Sequence, residues 1–186
     1  MGKGDERGGT GGMAVKVLGI DLALRAVGWA LVDDDGECLG WDEFTTPAVR
    51  KGDAAGRMAR WAKLECELHA LPWREADAVV VEYASRWPRA KRGTSTATLE
   101  AVMGAKAVLE LVAWDEGATP PEYVDPNEWQ RSSLSRSVLD TKRASVLVAE
   151  DAVGVPMGEH EADAYNMAVW WLKVGRWERD GMESDT

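Results

Sequence analysis

Cysteine, histidine and phenylalanine are scarce in this chain of 186 residues, which contains two, two and one of them. Cys38 and Cys66 stand in no metal-binding or redox spacing, so we expect both to be reduced thiols, as in a cytoplasmic protein. No apolar run approaches the roughly 18 residues of a membrane-spanning helix. No segment has the pattern of a signal peptide either. These absences favour a cytoplasmic protein that does not enter a membrane.

An excess of positive charge is also lacking, because the formal net charge is −10. Such a balance argues against nucleic-acid binding through bulk charge. Basic residues nevertheless concentrate in two stretches, 86–106 and 131–143, which could bind phosphates as a local basic face. They are Arg86, Arg89, Lys91, Arg92, Lys106, Arg131, Arg136, Lys142 and Arg143. Ordinary solvated surface is the alternative for either stretch alone.

Internal repeats and long interior linkers are absent, and the length suits one domain with an adequate core. Residues 1–13 are rich in glycine and have no hydrophobic periodicity, which predicts a disordered leader or a remnant of cloning. Residues 176–186 are acidic and predict a flexible tail. We therefore expect a single folded domain over residues 14–175.

The hydrophobic pattern predicts an α/β domain. Apolar, β-branched runs bounded by turn residues predict strands at 15–21, 27–32, 37–45, 78–82 and 122–124. Apolar residues at helical spacing predict helices at 53–71, 95–114, 141–152 and 159–174, with another helix beginning at Pro126 after an Asp125 cap. The order βββαβαβααα indicates a five-stranded mixed sheet, its first three strands antiparallel, with helices on both faces.

Acidic residues occupy three positions with apolar neighbours, where an ionised carboxylate is costly in free energy. Asp21 and Glu82 end two almost purely apolar strands, and Asp163 lies among alanines on an apolar helix. A buried ionised carboxylate is costly unless something positive compensates it. Neighbouring carboxylates also repel each other, and a divalent cation is the usual remedy. The pattern therefore predicts a metal site formed by Asp21, Glu82 and Asp163.

His160 lies three residues before Asp163, so both side chains should project from one face of the helix. It is a candidate metal ligand, or a group that orients or deprotonates a water molecule. Each residue also has an ordinary structural explanation. Asp21 could cap a turn, Glu82 could pair with Arg86 or Arg89, and His160 could cap or pack. Glu161 is a weaker candidate because it should point away from that face.

Six segments together resemble RuvC-type Holliday junction resolvases, which belong to the ribonuclease H-like nucleases. The opening Gly-Ile-Asp strand and the small-residue turn that follows it resemble the start of that family, and the closing His-x-x-Asp-Ala resembles its last helix. The six segments are 18–30, 80–82, 99–104, 126–130, 142–144 and 160–164. The resemblance extends over about residues 15–171 and implies a ribonuclease H-like fold.

Two loops depart from the family pattern. The loop after Asp21 reads Leu22-Ala23-Leu24 and lacks the family's Pro-Gly, and the loop after Glu82 carries Trp87-Pro88-Arg89. The chain therefore resembles a divergent member, such as those that phages encode.

The resemblance implies hydrolysis of phosphodiester bonds in four-way or otherwise branched DNA during recombination and repair. Two Mg²⁺ or Mn²⁺ ions about 3.5–4 Å apart would stabilise the entering and leaving oxygens. In this scheme Asp21 bridges both ions, Glu82 binds one, and Asp163 binds the other together with His160. Oxygen ligands favour these hard cations.

A homodimer is implied as well, because two symmetric nicks suit a two-fold enzyme, with helix 95–114 as a candidate interface. The implied DNA contacts come from the two basic stretches and a stacking tryptophan, namely Arg86, Trp87, Arg89, Lys91, Arg92, Arg131, Lys142 and Arg143. Alternatives are a ribonuclease or RNA-processing nuclease of the same fold, a non-catalytic DNA- or protein-binding module, and a nucleotide-binding actin-like fragment.

Ten tryptophans raise the question of which ones could stack on bases. Trp87 is the candidate, because it stands beside Glu82 among basic residues; packing on Pro88 is its alternative. Five others occupy apolar positions of strands or helices and are expected in the core, namely Trp29, Trp61, Trp114, Trp170 and Trp171.

Overall fold

The computed structural model of the protein describes residues 14–50, 52–82, 96–134 and 140–182, with the backbone alone in 96–99 and 175–182. In this part of the chain one sheet carries helices on both faces, and the predicted order of elements is confirmed. The strands are β1 (Lys16–Leu22), β2 (Ala26–Asp33), β3 (Cys38–Thr45), β4 (Ala78–Glu82) and β5 (Glu122–Val124). The helices are α1 (Ala54–Leu68), α2 (Thr96–Asp115), α3 (Pro126–Ser133), α4 (Thr141–Val153) and α5 (Glu159–Met182).

The sheet has the order β3-β2-β1-β4-β5. The first three strands are antiparallel, and β4 and β5 continue the sheet in parallel with β1. This mixed sheet is the one that the sequence predicts. In the described residues no helix is both long and apolar enough to cross a membrane.

The central strand β1 is buried on both faces because its apolar residues alternate between two cores. Val17 packs with α3, α4 and α5 on one face, whereas Leu18 and Ile20 pack with α1 and α2 on the other. Burying each such side chain stabilises the fold by about 1.5–3 kcal/mol. The continuous apolar run of β1 therefore reflects a strand covered by helices on both sides.

Aspartates cap three helices, two of them, Asp53 and Asp125, as the sequence predicts. Asp53 accepts a hydrogen bond from Gly56 N at 2.8 Å at the start of α1, and Asp125 accepts one from Asn127 N at 2.8 Å at the start of α3. Asp140 accepts one from Arg143 N at 3.2 Å at the start of α4. Each bond satisfies a backbone donor that the first helical turn leaves free.

Two glycines let α5 lie directly on the sheet. A Cβ atom at Gly19 in β1 would overlap the backbone carbonyl of Ala164, and one at Gly28 in β2 would overlap that of His160. Any larger residue at either position would force the helix away. Because Gly28 pairs with Asp21 across β1 and β2, the close approach brings the start of α5 to the end of β1.

Two expectations differ from the structure. Helix α5 continues to Met182 and does not end at Val174. Trp114, expected in the core, is 82% exposed, because it lies on the outward face of α2 with the exposed Met103 and Leu111. Among the tryptophans whose side chains the structure describes, Trp73 and Trp129 are the most deeply buried, one on each face of the sheet.

Candidate active site

Strand register places Asp21 beside Glu82. The two are Cα partners in the parallel pairing of β1 with β4, whose strands lie about 4.8 Å apart, as neighbours in a sheet do. Side chains alternate between the faces of a strand, so Asp21 shares a face with Val17, and Glu82 shares one with Val80. Both valines pack in the core that α5 covers. The two carboxylates therefore lie together on the α5 face at one end of the sheet.

Helix α5 contributes the histidine of the site. His160 Nδ1 lies 2.5 Å from Asp21 Oδ2, and Asp21 is only 8% exposed. The carboxylate raises the pKa of His160 through this hydrogen bond, and desolvation partly opposes that effect. Glu161 instead accepts a hydrogen bond from Gly158 N at 2.5 Å and so caps the helix, in agreement with its weaker candidacy.

Glu82 is held in an environment that disfavours its charge. Burial, and then repulsion from Asp21, raise the pKa of Glu82 to about 8. A hydrogen bond from the Trp129 indole, at 2.9 Å from Nε1 to Glu82 Oε2, partly offsets the increase. Repulsion from Asp163 adds to it. With a pKa of about 8, the Glu82 carboxyl is mostly protonated at neutral pH, and an approaching cation favours its ionised form.

Asp163 is also perturbed, and one of its oxygens lacks a protein partner. Burial is the largest cause that raises the pKa of Asp163 to about 6, while hydrogen bonding from Ser145 lowers it and Asp21 raises it. Its Oδ1 atom is buried and has no hydrogen-bond partner among the described residues. An unsatisfied buried carboxylate oxygen is unusual and calls for an explanation such as an ion.

Ser145 forms a hydrogen bond with Asp163, and Asn166 in turn holds Ser145. Both are almost fully buried between α4 and α5, and Asn166 Nδ2 donates to the Ser145 carbonyl and to Ser145 Oγ, each at 2.9 Å. Because Ser145 Oγ accepts from Asn166, its own hydrogen is free to point toward Asp163. The sequence analysis missed both residues, although a polar Asn166 among the apolar residues of α5 was a detectable signal.

The donor set fits a hard divalent cation. Three carboxylates and one imidazole supply oxygen and nitrogen ligands, and the partnerless Oδ1 of Asp163 fits the same demand. The coordination site is not preformed. In the described part of the chain, no three His, Cys, Asp or Glu side chains are placed to bind one ion. His160 and Asp21 are bonded to each other here. Ligation through those two atoms requires that bond to open.

The predicted DNA-contacting residues fall into two groups. Arg86, Trp87, Arg89, Lys91 and Arg92 lie outside the described residues. Arg131, Lys142 and Arg143 are exposed. Lys142 pairs with Glu159, which raises the pKa of the lysine, and the charges of Asp163 and Asp21 raise it further. Lys142 is therefore at the rim of the acidic cluster.

Trp129 was not singled out by the sequence analysis as part of the site. It occurs in the segment after Asp125-Pro126, where it reads as a core residue of a short helix. No spacing in the sequence indicates that its indole reaches Glu82, 47 positions away. Only the folded chain shows the contact.

The order and direction of the strands and the helices on both faces give a ribonuclease H-like fold, which solved structures of Holliday junction resolvases share. RuvC of Thermus thermophilus bound to a Holliday junction substrate matches with a TM-score of 0.66 and 18% identity, over 87% of this chain and 96% of that one. RuvC of the same organism in a second structure matches with a TM-score of 0.62 and 18% identity, over 87% and 97%. The yeast mitochondrial Holliday junction resolvase Ydc2 matches with a TM-score of 0.58 and 14% identity, over 89% and 81%.

No protein-family model and no curated protein matches the chain. Identities this low show the fold alone. The predicted resemblance to RuvC-type resolvases is thus confirmed at the level of the fold, and the chain covers nearly the whole RuvC domain.

Proposed function

We propose that the protein is a divalent-metal-dependent endonuclease that cleaves Holliday junctions or other branched DNA by phosphodiester hydrolysis. The observation that carries the proposal is the pair of perturbed carboxyls, Glu82 and Asp163, which lie partly buried near the buried Asp21, to which His160 is bonded. Clustering carboxylates away from water costs free energy. A purely structural role does not require such a cluster, so the cost points to a function for these residues. A site that binds two cations, Mg²⁺ or Mn²⁺, recovers this cost on binding.

The reaction assigned to the site is attack of water on the phosphorus, with loss of the sugar oxygen on the opposite side. Bound Mg²⁺ or Mn²⁺ supplies Lewis-acid stabilisation of the charge on the phosphate oxygens. Asp21, Glu82 and Asp163 would hold the cations. While Nδ1 of His160 is bonded to Asp21, Nε2 is the ring nitrogen that can accept a proton from the attacking water.

DNA as the substrate is supported by charge near the site and by the structural neighbours. Lys142 lies at the rim of the acidic cluster, and Arg131 and Arg143 are exposed cations that can contact phosphates. One structural neighbour is a RuvC protein that holds a Holliday junction. We assign the nuclease domain to residues 14–175, with a cytoplasmic location and roles in recombination and repair. Residues 86–92 are proposed to supply further contacts, including stacking by Trp87.

A homodimer is proposed because α2 has an apolar face directed away from the sheet. Met103, Leu111 and Trp114 are 66%, 65% and 82% exposed and recur at helical spacing on that face. Exposed apolar stripes of this kind commonly mark interfaces. Leu111→Lys is expected to convert a dimer to a monomer by sedimentation analysis, whereas Met58→Lys on exposed α1 should not. A wild-type monomer at micromolar concentration excludes the dimer.

The experiment for the nuclease itself is a substrate panel. Wild-type protein is incubated with a mobile four-way junction, flap DNA and an RNA–DNA hybrid in Mn²⁺ or Mg²⁺. Junction nicking supports the proposal, and preferential cleavage of the hybrid supports the ribonuclease alternative. Junction binding without cleavage in either metal supports a non-catalytic binding module. No specific observation favours either alternative.

A further inference from the structure

Trp129 touches the acidic cluster from inside the core. It lies on α3, directly after the edge strand β5, and its side chain is fully buried with the residues of α4 and α5. Its indole Nε1 donates a hydrogen bond to Glu82 Oε2 at 2.9 Å. Close packing fixes the orientation of a buried indole, so the direction of this donor is fixed too.

The chemistry of the indole limits what Glu82 can do. Nε1–H only donates, so its partner must be an acceptor oxygen. Leaving a buried donor without a partner costs about 1–3 kcal/mol. The indole therefore occupies one of the two lone pairs of Glu82 Oε2 and fixes the direction of that oxygen. This favours Oε1, and not both oxygens together, as the ligand of an ion.

We propose that Trp129 is a positioning residue that holds Oε2 of Glu82, so that Glu82 ligates a divalent cation through Oε1 alone. The inference rests on the proposed function, in which Glu82 is a metal ligand. Mg²⁺ requires near-octahedral geometry at about 2.0–2.1 Å, which single-oxygen carboxylate ligands satisfy. Ca²⁺ takes roughly 6–8 oxygens and often both from one carboxylate. Trp129 thereby favours Mg²⁺ over Ca²⁺ at this ligand.

Packing alone is the competing explanation for the same hydrogen bond. In that account Glu82 merely satisfies a buried donor, and the metal preference of the site does not depend on Trp129. Trp73 provides a matched comparison, because it is equally buried on the opposite face and donates from Nε1 to the Leu68 carbonyl at 2.6 Å. Replacing either tryptophan by phenylalanine removes the donor and keeps most of the aromatic volume.

The test measures metal binding without DNA. Bound Mn²⁺ is followed by electron paramagnetic resonance and displaced by Mg²⁺ or by Ca²⁺, for the wild type, Trp129→Phe and Trp73→Phe. We expect Trp129→Phe to lower the ratio of Mg²⁺ to Ca²⁺ affinity by about 10-fold, the size typical of changes in groups that orient metal ligands. Trp73→Phe should leave the ratio unchanged. An unchanged ratio in folded Trp129→Phe overturns the inference.

A second measurement needs only the wild-type chain. In ¹⁵N-labelled protein, the assigned Nε1–H resonance of Trp129 should shift on titration with Mg²⁺, while that of Trp73 stays in place. A Trp129 resonance that does not move while Mn²⁺ and Mg²⁺ bind through Asp21 overturns the positioning role and leaves the proposed function intact. A wild-type protein that binds neither ion overturns the proposed function itself, and this inference with it.

Discussion

His160 Nδ1 and Asp21 Oδ2 lie 2.5 Å apart although 139 positions separate the two residues. Asp21 lies on β1 and His160 lies on α5. Their contact therefore depends on how α5 packs against β1 and β2. Gly28 permits that seating, because it leaves room for the backbone of His160. The hydrogen bond connects the two parts of the proposed site that are farthest apart in the sequence. Variants of either residue therefore test the same contact.

His160→Ala should reduce Mn²⁺-dependent junction nicking by roughly 100-fold, the lower range for loss of a general base. The physical reason is that the variant lacks the group that accepts a proton or ligates the second ion. The measurement is the single-turnover nicking rate at saturating protein. His69→Ala is the control, because this second histidine is exposed and pairs with Glu116. Equal loss in both variants contradicts a specific role for His160.

Gly28→Ala should separate α5 from the end of β1. The added Cβ would overlap the His160 carbonyl, and strain of this kind costs about 1–3 kcal/mol. We expect a lower urea midpoint and a nicking rate reduced by at least 10-fold at a temperature where the variant is folded. Gly40→Ala in β3 is the control, since its Cβ would meet only the Trp29 ring at 3.5 Å. Wild-type activity in Gly28→Ala would contradict the proposed seating.

Without metal, the stability of the protein should fall as the pH rises from about 5 to 8. The pKa of Glu82 is about 8 in the folded chain against 4.5 for the free group, so the folded state retains a proton that the unfolded chain has lost. Stability falls with pH wherever the folded state binds more protons. Asp163, with a pKa of about 6, and His160, with a raised pKa, act in the same direction.

The measurement is urea unfolding in a chelator at pH 5 and pH 8. We expect a loss on the order of 3–5 kcal/mol in the wild type and a clearly smaller loss in Glu82→Gln, whose side chain has no charge to bury. Exposed Glu100→Gln is the control and should follow the wild type. A steeper loss in Glu82→Gln than in the wild type would contradict the burial argument.

Ser145→Ala should weaken metal binding without removing a ligand. Its hydroxyl lowers the pKa of Asp163, so the alanine variant raises that pKa further and makes the carboxylate harder to ionise. Asn166 retains its bond to the backbone carbonyl at position 145, which limits the structural damage. We expect about 10-fold weaker Mn²⁺ binding at pH 7, as for other groups that orient ligands. Thr119→Val is the control hydroxyl deletion, because Thr119 donates only to the Asp77 backbone.

Much of the fold follows from hydrophobic pattern and helix caps. The strands that contain Asp21 and Glu82 are predicted because their runs are apolar on both faces, and α1 and α3 begin at the predicted aspartates. The Asp140 cap of α4 is seen only in the structure. The predicted end of α5 at Val174 is wrong. The residues after Val174 are largely charged, so they have no apolar periodicity that predicts a helix. Trp114 was misassigned because helical spacing does not say which side of α2 faces the sheet.

The candidate site was predictable only in part. Asp21, Glu82, His160 and Asp163 were found through their unusual surroundings in the sequence and through family resemblance. Trp129 and Ser145 could not be found in this way, since their roles arise from contacts between elements far apart in the chain. The hydrophobic pattern of the sequence indicates most of the buried residues. Hydrogen-bond partners depend on how the helices pack against the sheet, which the pattern does not indicate.

Cleavage of a four-way junction in Mn²⁺ by the wild type, Asp21→Asn and Asp163→Asn tests the central claim most directly. Each asparagine keeps the shape of the side chain and removes the charge that holds a cation. The account predicts metal-dependent nicking by the wild type and a loss of at least 100-fold in both variants, with the chelated wild type equally inactive. Nicking by Asp21→Asn or Asp163→Asn at the wild-type rate, or undiminished nicking in chelator, would contradict it.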